Sequence, residues 1–117
     1  MTKEELSQYG YLRVEIAELE YRLCNLERLG GKKESAELPK LYRTLFERRE
    51  RCCRELLRLE RFLSSVEDSR IRLILSLRYA ENLSWRQVAL AIGERDEQFP
   101  RRLHNRFLKS TEQRRRE

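Results

Sequence analysis

The stretch Ser69–Lys109, SRIRLILSLRYAENLSWRQVALAIGERDEQFPRRLHNRFLK, decides the fold of this chain. Its apolar residues recur at helical spacing, and two short polar turns interrupt them. The pattern predicts three short helices, the last of them basic and preceded by an acidic turn. The chain has few Gly and Pro residues, and no alternating apolar run typical of a strand stands out. We therefore expect an all-α protein.

The first two helices of this stretch have clear sequence boundaries. The first is expected from about Ser69 to Tyr79 and, being apolar around most of its circumference, should be largely buried. Either Asp68 or Ser65 could serve as its N-cap. Ser84, with Gln87 three residues later, predicts a capping box at the start of the next helix. Its predicted inner face consists of Trp85, Val88, Ala89 and Ile92, and Gly93 is expected to end it.

The last helix of the stretch carries the basic surface. Asp96 is its expected N-cap, and Pro100 is tolerated in its first turn. Phe99, Leu103 and Phe107 recur every four residues and are predicted to point inward. The opposite, polar side is then formed by Gln98, Arg101, Asn105 and Lys109, with Arg102 on the flank.

Three helices in this order are typical of a helix-turn-helix unit that binds DNA. Arg can bind guanine bidentately, Asn and Gln can bind adenine, and basic side chains neutralise phosphates. Taken singly, each arginine is typical of a solvated surface charge, so the prediction depends on their shared register. The expected phosphate contacts are Ser84, Arg86, Arg106 and Lys109, and Arg70, Arg72 and Arg78 would extend this track.

The runs Asp68–Tyr79 and Leu83–Gly93 resemble region four, the C-terminal DNA-binding region of sigma-70-type factors. They are closer still to small phage and prophage proteins that join a coiled coil to that region, including late-gene regulators of the ArpU type. The resemblance covers about residues 68–109. The matching residues are Leu77, Arg78, Tyr79, Leu83, Ser84, Trp85, Val88, Ala89, Ile92 and Gly93.

The resemblance implies binding to promoter-like DNA. By position, it places the base-reading residues at Gln98, Arg101, Arg102 and Asn105. This chain differs from sigma factors in a longer, more acidic Gly93–Phe99 stretch and in Pro100 within the reading helix. The register of the base readers can therefore shift by one or two residues.

Two longer helices are expected before this stretch. The first, about Thr2–Leu29, has a heptad seam typical of a coiled coil, and Gly30–Lys33 should end it. The second should begin near Ser35–Pro39, with Ser35 as N-cap. Arg49 interrupts its apolar stripe, where a charged side chain can set register or oligomer state or simply reach to water. The first seam is Tyr9, Leu12, Ile16, Leu19, Leu23 and Leu26; the second stripe is Leu38, Tyr42, Leu45, Arg49, Cys52, Leu56, Leu59 and Leu63.

These two helices predict an antiparallel coiled-coil hairpin over residues 1–66, followed by a helix-turn-helix domain with a basic tail over residues 67–117. Since one hairpin cannot enclose its own apolar faces, we expect a homodimer through residues 1–63. The alternative is that the hairpin folds back on the C-terminal domain of its own chain. Cys24, Cys52 and Cys53 lack zinc-type spacing and are expected to be reduced, with Cys24 and Cys52 on or beside the apolar stripes.

Charge and motifs narrow the expected function. The net charge is +6, and residues 101–117 carry seven Lys or Arg against two Glu, which favours a polyanionic partner. No run long enough to span a membrane, enzyme signature, metal-ligand spacing or cofactor motif is present. We expect His104, the only histidine, to flank a phosphate or to pack. Cytoplasmic location is the default expectation.

The sequence thus predicts a sequence-specific transcription regulator that binds double-stranded DNA, with no catalytic role and no cofactor. One alternative is a small terminase-like subunit for DNA packaging. Another is a phage protein whose helical hairpin binds RNA polymerase or a host defence complex.

Overall fold

A computed structural model of the chain describes residues 1–30 and 37–116, and all regular structure within these ranges is helical. The prediction of an all-α protein is therefore confirmed. None of the described helices combines the length and hydrophobicity that crossing a membrane requires. The elements are α1 (Lys3–Leu6), α2 (Gln8–Gly30), α3 (Leu38–Ser65), α4 (Ser69–Leu75), a π-helical turn (Ser76–Ala80), α5 (Trp85–Ala91) and α6 (Gln98–Arg116).

The helix expected over Thr2–Leu29 is divided at Ser7 into α1 and α2. Thr2 caps α1, because its hydroxyl oxygen accepts a hydrogen bond from the Glu5 amide at 3.1 Å. Pro39 lies in the first turn of α3, as expected. The predicted N-cap Ser35 and the predicted stop at Gly31–Lys33 lie outside the described residues.

The chain divides into a smaller unit, Tyr11–Arg58, and a larger unit formed by Met1–Gly10 and Leu59–Glu117. This division differs from the predicted boundary at residue 66. One reason is a hydrogen bond that joins the two chain segments of the larger unit. The Tyr9 hydroxyl donates to a Glu60 carboxylate oxygen at 2.7 Å. Leu59 and Leu63 of the predicted second stripe are likewise buried in the larger unit.

The smaller unit has one apolar core between α2 and α3. Glu27 accepts a hydrogen bond from the Tyr42 hydroxyl at 2.9 Å, and Glu15 lies beside Cys52, so the two segments run in opposite directions. Burial raises the pKa of the Cys52 thiol. The core is formed by Leu19, Leu23, Leu45 and Cys52, with Leu12, Ile16, Leu26 and Tyr42 packed against it.

Two residues of the smaller unit were ambiguous in the sequence. Cys24, although free like the other cysteines, is exposed because it follows Leu23 around the helix and lies outside the core seam. Of the roles open to Arg49, the observed contacts fit the one in which the side chain reaches to solvent. Its guanidinium lies 4.9 Å from the Phe46 ring centroid and bonds to Glu50 at 3.3 Å, so its stem covers apolar surface while its charge stays near solvent.

The larger unit packs α1 and the end of α3 with α4–α6. Leu73 of α4 is about half exposed, so this helix is less buried than its composition predicts. The buried side chains of the unit are Leu6, Tyr9, Leu59, Leu63, Val66, Ile74, Leu75, Tyr79, Val88, Ala89, Pro100, His104 and Leu108.

The predicted caps of the larger unit are present. Asp68 accepts from the Arg70 and Ile71 amides at 2.9 and 3.3 Å, whereas the Ser65 hydroxyl donates to the Phe62 carbonyl. At the start of α5 the Ser84 hydroxyl accepts from the Gln87 amide at 3.2 Å. The Gln87 side chain accepts from the Ser84 amide at 2.9 Å. This reciprocal pair confirms the capping box.

Replacing the N-cap of α5 tests this arrangement. We expect Ser84→Ala to lower the free energy of unfolding by about 1 kcal/mol, since one amide of the first turn loses its acceptor. Urea unfolding measures the change. The matched control is Ser64→Ala at an exposed position of α3, which should leave the midpoint in place; equal losses in both variants would contradict the capping role.

Candidate nucleic-acid interface

Helix α6 is held to the core by a buried row of three residues, Pro100, His104 and Leu108. They recur every four residues and therefore lie on one side of the helix. Pro100 is the third residue of α6, where its missing N–H costs no hydrogen bond. Asp96 accepts from the Gln98 amide at 2.9 Å, which confirms it as the predicted N-cap. The start of α6 is thus fixed by a cap and by a buried proline.

His104 is 1% exposed, yet both of its ring nitrogens have partners. Nε2 lies 2.5 Å from the Tyr79 hydroxyl, and Nδ1 lies 2.8 Å from the Asn105 amide oxygen. Since an amide oxygen only accepts, Nδ1 carries a proton. In the neutral ring Nε2 then accepts from the Tyr79 hydroxyl, whereas a protonated ring would donate to the Tyr79 oxygen.

The surroundings of His104 favour the neutral form. Burial lowers the pKa of His104, and the charges of Lys3, Arg78 and Arg101 lower it further, against an opposing effect of the Asn105 hydrogen bond. Burial also raises the pKa of Tyr79 to about 12, so its hydroxyl remains a donor at neutral pH. The prediction that His104 packs is therefore correct, and the alternative of a phosphate-flanking position is wrong because the ring is buried.

Trp85 and Arg78 join this core to the turn before α5. The Trp85 ring meets the His104 ring edge-on, with centroids 4.8 Å apart. The Arg78 guanidinium lies 4.7 Å from the Trp85 centroid, and its Nη1 donates to the Leu83 carbonyl at 2.9 Å. Arg78, predicted to extend a phosphate track, instead holds the turn between the π-helical segment and α5.

The link from α5 to α6 begins with a Schellman motif. The Gly93 amide donates to the Leu90 carbonyl at 3.2 Å, and the Glu94 amide donates to the Ala89 carbonyl at 2.8 Å. Gly93 has φ +82°, a left-handed conformation that L side chains rarely adopt, although a Cβ there would meet open space. Glycine is therefore favoured here by the left-handed backbone conformation and not by a lack of space for a side chain.

The outward face of α6 follows from its buried row. Because each residue turns the helix by about 100°, Arg102, Arg106 and Lys109 lie opposite His104, and all three are exposed. We call these three residues the outer row. Arg101 and Asn105 are also exposed but lie on the flank between the outer row and the buried row.

This register corrects the predicted faces of α6. Phe99, Leu103 and Phe107 are only partly buried, whereas the row one residue further along is buried. The physical reason is that Pro100 and His104 take the central core positions, His104 because Tyr79 and Asn105 satisfy its nitrogens. The basic face is consequently displaced from Arg101 and Asn105 toward Arg102 and Arg106.

Most of the remaining predicted contact residues are exposed side chains, whereas one is used within the fold. Gln98 begins α6 and is exposed, and Arg86 is exposed on α5. Arg102 lies 3.5 Å from Asp96, but both side chains are mostly exposed, so this ion pair is weak. Ser84, by contrast, uses its hydroxyl and amide in the capping box.

Two further arginines have contacts inside the unit. The Arg72 guanidinium donates to the Val66 carbonyl at 2.8 Å. The Arg70 guanidinium lies 5.9 Å from the Phe99 centroid. Both contacts are in the larger unit, so these side chains contribute to its packing.

The role of the polar pair Tyr79 and His104 as a structural centre was not predicted from the sequence. The available signal was the position of His104, four residues after Pro100 and four before Leu108. Read as a buried row, this spacing gives the observed register. Among the described residues, no group of three His, Cys, Asp or Glu side chains is arranged to hold a metal ion.

Comparison of the chain with protein-family models, with curated proteins and with solved structures finds no match.

The buried histidine predicts a pH-dependent stability. Its pKa in the folded state lies below the ordinary value of 6.5, so the unfolded state binds the proton more readily. The contribution of His104 to the free energy of unfolding is therefore fully present above the pKa that this residue has in the unfolded state. It is lost as pH falls below about 6.5 toward the pKa that His104 has in the folded state. Thermal unfolding between about pH 7.5 and 5.5 measures this loss, because most carboxylates titrate below about pH 5.

His104→Gln should remove the pH dependence in this window, since the chain has no other histidine. The control Tyr79→Phe keeps the buried imidazole and should keep the dependence while lowering overall stability. An unchanged pH profile in His104→Gln would show that another group is responsible.

Proposed function

We propose that this chain is a sequence-specific transcription regulator that places α6 in the major groove of double-stranded DNA. The observation that carries this proposal is the outer row, three exposed cations on one side of a helix whose other side is held in a core. A recognition helix needs such an arrangement, because its rotation must be fixed before a side chain can select a base.

The neighbouring elements support a helix-turn-helix interpretation. α5 follows α4 after the π-helical turn and a short link, and Trp85 of α5 packs on His104 of α6. The resemblance of residues 68–109 to region four of sigma-70-type factors and to ArpU-type phage regulators points the same way. On this proposal, α5 approaches the DNA backbone with Arg86, and α6 enters the groove.

We propose different tasks for the basic residues, according to their positions on α6. Arg102 lies near the start of α6 and in the outer row, so it is the best placed to bind guanine bidentately. Arg106 and Lys109 follow along the same row and would neutralise phosphates. Gln98 adds an amide at the first turn. Asn105 is the weaker candidate among the predicted readers, because its side-chain oxygen already accepts from His104.

We propose two protein partners for this regulator in addition to DNA. One recognition helix makes few contacts, so a homodimer through residues 1–63 would read two half-sites one or more helical turns apart. RNA polymerase is a further proposed partner, because the resemblance is to a polymerase-associated region. A ring-sized mass would instead favour the packaging alternative.

Selection of bound duplexes from a random pool tests the proposed function directly. We expect an enriched sequence, and a palindromic one if the chain binds as a dimer. Arg102→Ala should then weaken binding to the selected duplex by about 1–3 kcal/mol and relax the preference at one position. The matched control is Arg43→Ala, an exposed arginine of α3 in the smaller unit, which should leave affinity unchanged. No enrichment, or equal affinity of Arg102→Ala and the original chain, would contradict base reading by Arg102.

A second variant separates phosphate contacts from base reading. Arg106→Ala should weaken binding to selected and random duplexes alike and reduce the salt dependence of log affinity by about one unit. Titrations at several salt concentrations measure the slope. A slope equal to that of the original chain would place Arg106 away from the phosphates.

A further inference from the structure

Helix α2 carries a second heptad seam on the side opposite its core. The core seam of the smaller unit uses Leu12, Ile16, Leu19, Leu23 and Leu26. A different row begins at Gly10 and continues in alternating steps of four and three residues. It shares no residue with the core seam. This outer seam consists of Gly10, Val14, Ala17, Tyr21, Cys24 and Arg28.

The outer seam is exposed from Val14 to Arg28, and Gly10 at its start is partly buried. Val14 is 70% and Tyr21 69% exposed, and Tyr11, beside the seam, is 74% exposed. A Cβ built on Gly10 would meet nothing within 4 Å. Single exposed apolar residues are ordinary, but large ones recurring at heptad spacing are typical of a helix that packs on a further partner.

Residue size along the outer seam identifies that partner. Small residues, Gly10, Ala17 and Cys24, alternate with the larger Val14, Tyr21 and Arg28. Suppose that a second copy of α2 packs antiparallel on the first, with the two-fold axis near Leu19. Each large residue of the outer seam then meets a small residue of the second copy. Tyr21 then packs on Ala17, Val14 on Cys24 and Arg28 on Gly10 of the second copy. A parallel pair would instead place each large residue against its own copy.

One pair of charges beside the seam fits the same arrangement. In two antiparallel copies centred near Leu19, Arg13 would lie alongside Glu27 of the second copy. The two-fold symmetry makes this attractive pair occur twice. Glu18 and Glu20 meet their own copies near the axis only once each, and Glu18 is already 3.9 Å from Arg22 of its own helix.

We propose that the outer seam is a self-association surface whose occupant is α2 of a second copy, packed antiparallel. This inference rests on the dimer included in the proposed function and narrows its contact from residues 1–63 to one face of α2. A pair of helices related in this way forms an isologous interface, which closes at two chains. The dimer would thus use a helix face that does not contribute to the core of the smaller unit.

The register can be tested with the cysteine that the outer seam already contains. In a chain with Cys52→Ala and Cys53→Ser, Val14→Cys places a thiol opposite Cys24 of the second copy. With oxidised glutathione as electron acceptor, we expect a covalent dimer on a non-reducing gel. Adding Cys24→Ser should abolish it. A covalent dimer that persists after Cys24→Ser would mean that residue 14 meets its own copy, and it would overturn the antiparallel register.

The matched control for random collision is Leu57→Cys, exposed on α3, in the same background plus Cys24→Ser. It should remain monomeric on the gel. Equal crosslinking of Leu57→Cys and Val14→Cys would also overturn the inference, because it would show unspecific association.

Sedimentation of the chain without DNA gives an independent result. We expect twice the chain mass of 14.3 kDa for the original chain and a single chain mass for Tyr21→Glu. Leu57→Glu serves as control and should stay dimeric, and circular dichroism checks that both variants are helical. If the original chain sediments as a monomer yet Arg102-dependent DNA binding persists, the seam inference fails while the proposed DNA-binding function stands.

Discussion

The hydrogen bond between Tyr79 and His104 is the constraint on which the larger unit depends. It joins the π-helical turn to the middle of α6 and lies in a core that excludes water. A buried polar pair of this kind is costly when one partner is missing, so it specifies a single arrangement more strictly than apolar contacts would. Since His104 faces inward, the opposite side of α6 must present Arg102, Arg106 and Lys109. The burial of the uncharged His104 side chain thus fixes which basic residues of α6 face outward.

The π-helical turn makes this pairing possible. The Glu81 amide bonds to the Ser76 carbonyl at 3.0 Å, five residues back, which widens the helix by one residue. Tyr79 then points to His104, while the preceding Arg78 reaches the Leu83 carbonyl and the Trp85 ring. Asn82 follows directly with φ +57°, a left-handed conformation that cannot continue the helix. Two adjacent side chains therefore connect one turn to both α5 and α6, and π segments of this kind often occur near functional sites.

Local signals in the sequence predicted local structure well. Asp68, Ser84, Gly93 and Asp96 act where expected, because a cap depends on one or two neighbouring residues. The rotation of α6 could not be predicted by counting apolar residues, since a proline and a histidine occupy its core positions. Nor could the inclusion of Met1–Gly10 in the larger unit be predicted, because it depends on distant contacts such as Tyr9 with Glu60. The sequence shows many arginines but not which of them are occupied within the fold. Only the structure shows that Arg72 and Arg78 donate to backbone carbonyls and so differ from the outer row.

On the proposed function, the outer row of α6 contacts DNA while His104 stays neutral in the core. The most direct measurement is nuclear magnetic resonance of the isotope-labelled chain, titrated with a selected duplex. We expect the largest shifts at the side chains of Arg102, Arg106 and Lys109, with the His104 nitrogens retaining the pattern of a neutral ring protonated at Nδ1. Shifts confined to the smaller unit, with α6 unchanged, would contradict it.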